Sequence, residues 1–288
     1  MPYPQARTEI LIGAKGLARL RTARVLIAGL GGVGGHVAEA LGRAGIGRLT
    51  LLDHDVVSPS NLNRQLLALH STLGRPKIEV MAERLRDIDP TLELTLIGEF
   101  LQPDGAESLV SATTFDVTVQ SPPLAKGGEG GFGSRHLGEI PPAPLFSKGG
   151  GECLPFDYVA DCIDSIACKA ALVAACHRHG VPVVSALGAG NCLDVRRVQV
   201  ATLNQTHVCP LARELRRQLR ERGAPLNYPV VYSDELRRPP LPHQPVSSDT
   251  PGRPRAVNGT ISYMPALFGV MLAGVVIQRL LAGVESVG

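Results

Sequence analysis

The residues with the most chemical content cluster near the start of the chain. Gly29-Leu30-Gly31-Gly32-Val33-Gly34 stands between an aliphatic run, Arg24 to Gly29, and an amphipathic stretch, Val33 to Ala44. A strand that turns through glycines into a helix lets backbone amides approach a phosphate, and the helix N-terminus favours the anion. Asp53 closes the next apolar run, where an acid can bind ribose hydroxyls. By itself this pattern binds a nucleotide, and it suits NAD enzymes as well as ATP enzymes.

Residues further along separate the two. Asp53-His54-Asp55 leads into Asn61-Leu62-Asn63-Arg64-Gln65 and then Gly74-Arg75-Pro76-Lys77; later comes Asp161-Cys162-Ile163-Asp164-Ser165. In a doubly wound sheet, ligands sit beyond the carboxyl ends of the strands, so Asp53, Asp164 and the glycine loop share one edge. A triphosphate needs cations and magnesium before a nucleophile can approach phosphorus. Arg64 and Lys77 supply the cations, and Asp164 a hard oxygen ligand for Mg2+. An NAD dehydrogenase has little use for that second cluster. Asp161, earlier in its strand, reads as structural, and Asp55 has no assigned role.

These residues must be held by a fold of matching rhythm. Short β-branched and leucine-rich runs alternate with helical patterns, the mark of a parallel sheet covered on both faces. Strands are expected at Arg24 to Gly29, Arg48 to Asp53, Leu92 to Ile97, Asp157 to Cys162, Val181 to Ala186, Val195 to Leu203 and Pro229 to Tyr232. Helices are expected at Val33 to Ala44, Arg75 to Ile88, Ile166 to His179 and Cys209 to Arg222. The expected class is α/β: a Rossmann-like, doubly wound, mainly parallel sheet with a C-terminal extension of strands and a long apolar helix.

With 288 residues, 44% of them apolar and 19% charged, the chain can bury a sizeable core, and global disorder is excluded. A net charge of +3 permits a nucleic acid partner without arguing for one. The six cysteines are irregularly spaced and no signal peptide is evident, so reduced thiols and a cytoplasmic location are expected. Without a Cys-x-x-Cys pair, the usual structural zinc site has no ligands. Ile261 to Val284 is largely apolar, but Pro265, Gly269 and Gly274 interrupt it, so a core helix is expected rather than a membrane span.

Two segments break the rhythm. Residues 120–152 hold two imperfect copies of one phrase, beginning at Pro122 and at Ala143, in a Gly/Pro-rich stretch with too little apolar surface to offset its ordering entropy. Phe115-Asp116-Val117 is echoed by Phe156-Asp157-Tyr158-Val159 on the far side. A disordered surface insert without catalytic role is expected. Removing residues 116–156 should therefore leave turnover intact, and a clear loss would count against this reading. Residues 234–259, rich in proline, serine and arginine, form either a flexible substrate-binding crossover loop or a plain linker.

Arg7-Thr8-Glu9, Gly29 to Gly34, Asp53 to Gln65, Lys77 and Asp161 to Ser165 together resemble the ThiF/MoeB/HesA-like adenylyltransferases, over nearly the whole chain outside the two irregular segments. Within that family the likeness is greatest to the branch that dehydrates threonylcarbamoyladenosine in tRNA. It rests on Asn61-x-Asn63-Arg64-Gln65, Lys77 to Arg84, Asp164-Ser165, and Asp194 to Thr202 followed by Pro210-Leu211-Ala212. The resemblance implies that Gly29, Gly31, Gly32, Gly34, Asp53, Asn61, Arg64, Gln65 and Lys77 bind ATP. Asp53 would hold the ribose, Asn61, Arg64 and Lys77 the phosphates, and Asp164 the magnesium. It further implies that Arg7 reaches the neighbouring subunit's γ-phosphate, hence a homodimer. A tRNA substrate is implied, with sulfur-transfer proteins as further partners.

Departures from the wider family matter as well. Ser165 stands where many protein-activating relatives carry asparagine, the zinc pairs are missing, and residues 210–288 hold no cysteine for a thioester. Cys162, Cys192 and Cys209 then read as small hydrophobes. The alternatives are adenylation of the C-terminus of a ubiquitin-like or sulfur-carrier protein, and a non-catalytic nucleotide-binding partner. Arg213, Arg216, Arg217 and Arg220 recur at helical spacing, as a tRNA phosphate stripe or, balanced by Glu214 and Glu221, a solvated face. The modest overall charge favours the solvated face.

Overall fold

Strands buried on both faces form the centre of the molecule. The computed structural model describes residues 3–111, 155–239 and 258–284. β1 (Arg24–Ala28), β2 (Arg48–Leu52), β3 (Glu93–Ile97), β4 (Tyr158–Asp161), β5 (Val183–Ala186), β6 (Val198–Thr202) and β7 (Pro229–Ser233) make one seven-stranded sheet in the order β3-β2-β1-β4-β5-β7-β6. All neighbours pair in parallel except β6 with β7, which run antiparallel. β1, β4 and β5 carry almost no exposed residue, as central strands of a sheet covered on both sides require.

Helices divide between the two faces. α1 (Ala6–Thr22), α2 (Gly34–Ala44), α3 (Lys77–Ile88) and α7 (Tyr263–Leu281) border one core, containing Leu20, Val37, Leu41, Met81 and Phe268. α4 (Gly105–Ser111), α5 (Ile166–Arg178) and α6 (Pro210–Glu221) border the other, with Leu109, Leu172, Leu215 and Tyr228. Both hydrophobic layers close over the same sheet, so the strand ends that carry the site are held from above and below.

Expected and observed elements agree to within about two residues at most ends, as helix fraying allows. Where they differ the cause is local. The helix expected from Arg75 begins at Lys77, because Pro76 takes the N-cap position with φ −56° and ψ 130°. The strand expected from Val195 begins at Val198. Its first residues form a 3-10 turn whose N-cap, Asp194, accepts from the Arg196 amide at 3.0 Å. α1 and α4 are additions to the sequence-based elements; Gly13, at φ 71°, kinks α1, whose Ile10 and Leu11 are 86% and 85% exposed. The insert at 120–152 lies outside the described residues, as do positions 240–257 of the crossover loop.

α7 is long and apolar enough to cross a membrane by length and composition. In the fold its Met264, Phe268, Leu272, Val276 and Leu280 make a buried stripe at a spacing of four residues. It is a core helix along this face, while Tyr263, Val270, Gln278 and Arg279 are exposed. Gly269 sets its distance from α2: a Cβ there would lie 2.6 Å from the Val33 carbonyl oxygen.

Candidate nucleotide site

The carboxyl ends of β1, β2 and β4 open on a cavity of about 890 Å3. Its lining includes Gly29, Gly31, Gly32, Asp53, Asn61, Arg64, Gln65, Lys77 and Asp164. The sheet thus brings together residues from five separate stretches of chain, as ligand sites in open α/β sheets do.

The glycines divide the labour. Gly29 has φ +92°, and a Cβ there would stand 2.9 Å from the Cys162 carbonyl oxygen, so the turn needs glycine on two counts. Gly34 is absent from the cavity wall; a Cβ on it would be 1.7 Å from the Gly29 carbonyl oxygen. Its role is tight packing of the turn, where the resemblance implied nucleotide contact. Gly31 faces open space: a methyl at that position would meet Gln65 Nε2 first, at 4.0 Å. A phosphate group can approach the backbone there.

Asp53 is buried and clamped. Its Oδ2 accepts from the Leu30 amide at 2.6 Å and its Oδ1 from the Asp55 amide at 2.8 Å. Two amide donors fix the carboxylate's plane and leave lone pairs free for ribose hydroxyls. Asp55 acquires a role here: its Oδ2 receives Lys77 Nζ at 2.7 Å, and its backbone oxygen receives the Lys77 amide at 3.0 Å. Lys77, with 5% of its side chain exposed, is a nearly desolvated cation beside the cavity.

Asn61 and Arg64 belong to one turn. The Asn61 Oδ1 accepts from the Ser58 amide at 3.1 Å, and Arg64 Nη1 donates to the Ser60 carbonyl at 2.8 Å and to Asn63 Oδ1 at 3.0 Å. Asn63 Nδ2 in turn donates to the Thr260 carbonyl at 2.9 Å, tying the turn to the chain entering α7. Gln65 is buried, and its Oε1 has no hydrogen-bond partner among the described residues. An orphaned acceptor beside a glycine loop is a polar group awaiting a ligand donor.

Asp164 is exposed at the rim, next to Ser165, and can offer oxygen to a divalent ion. The Asp53 and Asp55 carboxylates and the His54 ring also converge, their ligand atoms within 4.8 Å of one another. Arg7 lies elsewhere, exposed on α1 and outside the cavity lining.

Residues not singled out in the sequence complete the wall. Phe100, 47% exposed, and Leu101 line the cavity beyond β3, and the His54 ring meets Phe100 edge-on with centroids 4.7 Å apart. An aromatic after a strand end is a weak signal, which only the sheet order makes meaningful. Asp161, expected to be structural, is fully buried and paired with Lys169 at 2.8 Å. Burial, aided by the Asp161 carboxylate, pushes the Cys162 thiol up to about 12, and burial raises Cys176 and Cys192 as well. These thiols are neutral near pH 7 and unsuited to nucleophilic attack.

Two of the four stripe arginines have partners within the fold. Arg217 pairs with Glu214 and Glu221, and Arg216 is spent on the Thr206 carbonyl at 2.9 Å.

Comparison with known proteins extends this picture. The ThiF family model matches residues 5–121. The chain is 30% identical to the tRNA threonylcarbamoyladenosine dehydratase of Bacillus subtilis (strain 168), over 99% of this chain and 97% of that protein. It is 35% identical to the enzyme of that name from Escherichia coli (strain K12), over 74% of this chain and 64% of that protein. Among solved structures, the E. coli dehydratase in complex with AMP superposes with a TM-score of 0.71 at 31% identity, covering 96% of this chain and 93% of that one. Identity at this level along the whole length, on the same fold, has one meaning: the chain belongs to the tRNA threonylcarbamoyladenosine dehydratase family of ThiF-type proteins.

Proposed function

We propose that the chain uses ATP to drive the cyclising dehydration of threonylcarbamoyladenosine in tRNA, by adenylating its carboxylate. The observation that carries this reading is the convergence of Asp53, Arg64, Lys77 and Asp164 around the glycine loop in one cavity. Asp53 holds the ribose, and the loop with the α2 N-terminus receives the α-phosphate. Arg64 and Lys77 draw charge off the phosphates as the substrate carboxylate oxygen attacks the α-phosphorus. The bond to the β-phosphate breaks and pyrophosphate leaves. A nucleophile of the same modified base then attacks the acyl carbon, its proton passes to solvent, and AMP departs with the former carboxylate oxygen. Magnesium, held through Asp164, would neutralise the pyrophosphate; the chain's own part is positioning and charge compensation. The test is AMP release from ATP with and without threonylcarbamoyl-modified tRNA. Turnover that needs the modified tRNA, with loss of one water from the nucleoside, is expected; AMP release indifferent to it would refute the reading.

Phe100 fits the base end of ATP. The phosphates belong at β1 and the ribose at Asp53 on β2, so the base extends towards β3, where Phe100 stands. Stacking on an aromatic ring contributes ~1–3 kcal/mol, so Phe100→Ala should raise the KM for ATP about tenfold with little change in kcat. An unchanged KM would place the base elsewhere.

Arg7 acts, in this reading, on the site of a second copy. Its exposure outside the cavity fits a role in trans, and the apolar Ile10 and Leu11 beside it offer a contact surface. Inactive Arg7→Ala and Lys77→Ala chains, mixed and allowed to exchange, should then regain about a quarter of the natural rate, since one site in each mixed dimer is intact. No recovery from a mixture shown to contain mixed dimers would place Arg7 in its own subunit's site or in none.

A further inference from the structure

We propose that Asp161, buried against Lys169, is a positioning residue whose carboxylate oxygens give the site its grip on the triphosphate end of ATP; this rests on the adenylation reading above. Both side chains are fully buried, with Lys169 Nζ 2.8 Å from Asp161 Oδ2. A buried pair of this kind commonly contributes no more stability than apolar residues of equal volume, so stability alone does not account for it.

Its hydrogen bonds show what it arranges. Asp161 ends β4, and its Oδ1 accepts from the Ile163 amide at 3.2 Å, closing the turn that presents Asp164 and Ser165 to the cavity. Its Oδ2 also accepts from Ser185 Oγ at 2.6 Å. Ser185 immediately precedes Ala186 to Gly190, which form another wall of the cavity. The Lys169 amide donates to the Ser165 carbonyl at 2.9 Å, so the same residue whose ammonium grips Asp161 also fixes the far end of the turn. Ser185 reaches Tyr228 OH at 3.2 Å, anchoring the cluster to the segment before β7. One carboxylate thus sets the Asp164 turn and the Gly188 wall relative to each other. Lys169 Nζ, 2.8 Å from Oδ2, fills the space beside the carboxylate and fixes its place between the two.

The glycine loop and Asp53 hold the nucleoside monophosphate without this cluster. The β- and γ-phosphates with their metal depend on Asp164. Loss of the Asp161 acceptor should therefore separate AMP from MgATP. Asp161→Leu with Lys169→Met replaces the ions by apolar side chains and removes the acceptor for the Ile163 amide. Asp161→Asn with Lys169→Met is also uncharged but keeps an amide oxygen as that acceptor. Calorimetric titration with AMP and with MgATP, alongside thermal unfolding, reads out both. In the folded apolar chain, AMP affinity should stay within about threefold of natural and MgATP affinity should fall about tenfold or more; the asparagine chain should recover to within about threefold for both. A folded apolar chain that binds MgATP as the natural chain does would overturn the proposal. If the apolar chain does not fold, Asp161→Ala with Lys169→Met takes its place and is read against the same two outcomes, and a tenfold loss of MgATP affinity in the folded asparagine chain also overturns the proposal. A natural chain that binds neither nucleotide would instead remove the adenylation reading, and this inference with it.

Discussion

Lys77→Ala is expected to slow tRNA-dependent AMP release by about two to three orders of magnitude, the usual cost of removing one preorganised donor from a developing negative charge. The side chain is 5% exposed, so water dilutes its charge little, and its Coulombic effect on a phosphate is correspondingly large. Its present partner, Asp55, is 52% exposed and can be resolvated once the lysine is gone. The fold should therefore lose ~1 kcal/mol or less. Steady-state AMP release measured beside thermal unfolding separates the effects. A rate within about threefold of natural would remove Lys77 from the phosphate site.

Gly34→Ala and Gly31→Ala should both impair ATP binding, for opposite reasons. At Gly34 the new methyl would stand 1.7 Å from the Gly29 carbonyl oxygen, a backbone atom that moves only if the β1–α2 turn moves. An overpacked site of this kind costs ~3 kcal/mol or more, about 6–12 °C in a domain of this size. At Gly31 the methyl meets nothing nearer than Gln65 Nε2 at 4.0 Å, so the fold is untouched and only the phosphate is obstructed. Differential scanning calorimetry with and without ATP distinguishes them. The Gly34 variant should unfold early in both conditions, whereas the Gly31 variant should match the natural protein without ATP and lack its stabilisation by ATP. A Gly34 variant of natural Tm would contradict the packing assigned to that turn.

Much of this site is legible in the sequence because it depends on local chain geometry. A strand, a glycine turn and a helix are written in consecutive residues, and Asp53 ends the next strand. The parallel sheet then brings Asp164 to the same edge. What escapes the sequence depends on neighbours distant in the chain. Lys169 sits in a run of alanines and reads as one more helical residue, until Asp161 and Ser185 arrive from two different strands. Phe100 becomes a cavity residue only through the pairing of β3 with β2 and its edge contact with His54. α1 is hard to read for another reason: Gly13 interrupts its period, and its most apolar pair, Ile10 and Leu11, points outward rather than into a core. The antiparallel direction of β6 is likewise invisible in its alternating residues, since the helix α6 between β6 and β7 is the connection expected of a parallel pair.

The central claim, that a carboxylate is activated at phosphorus, is tested most directly with oxygen-18. Threonylcarbamoyl-modified tRNA labelled in the threonine carboxylate would be turned over with unlabelled ATP, and the AMP analysed by mass. If the carboxylate attacks the α-phosphate and AMP leaves on ring closure, each AMP carries one oxygen from the carboxylate. Unlabelled AMP, released alongside a dehydrated nucleoside, would contradict carboxylate adenylation and the roles assigned to Asp53, Arg64, Lys77 and Asp164.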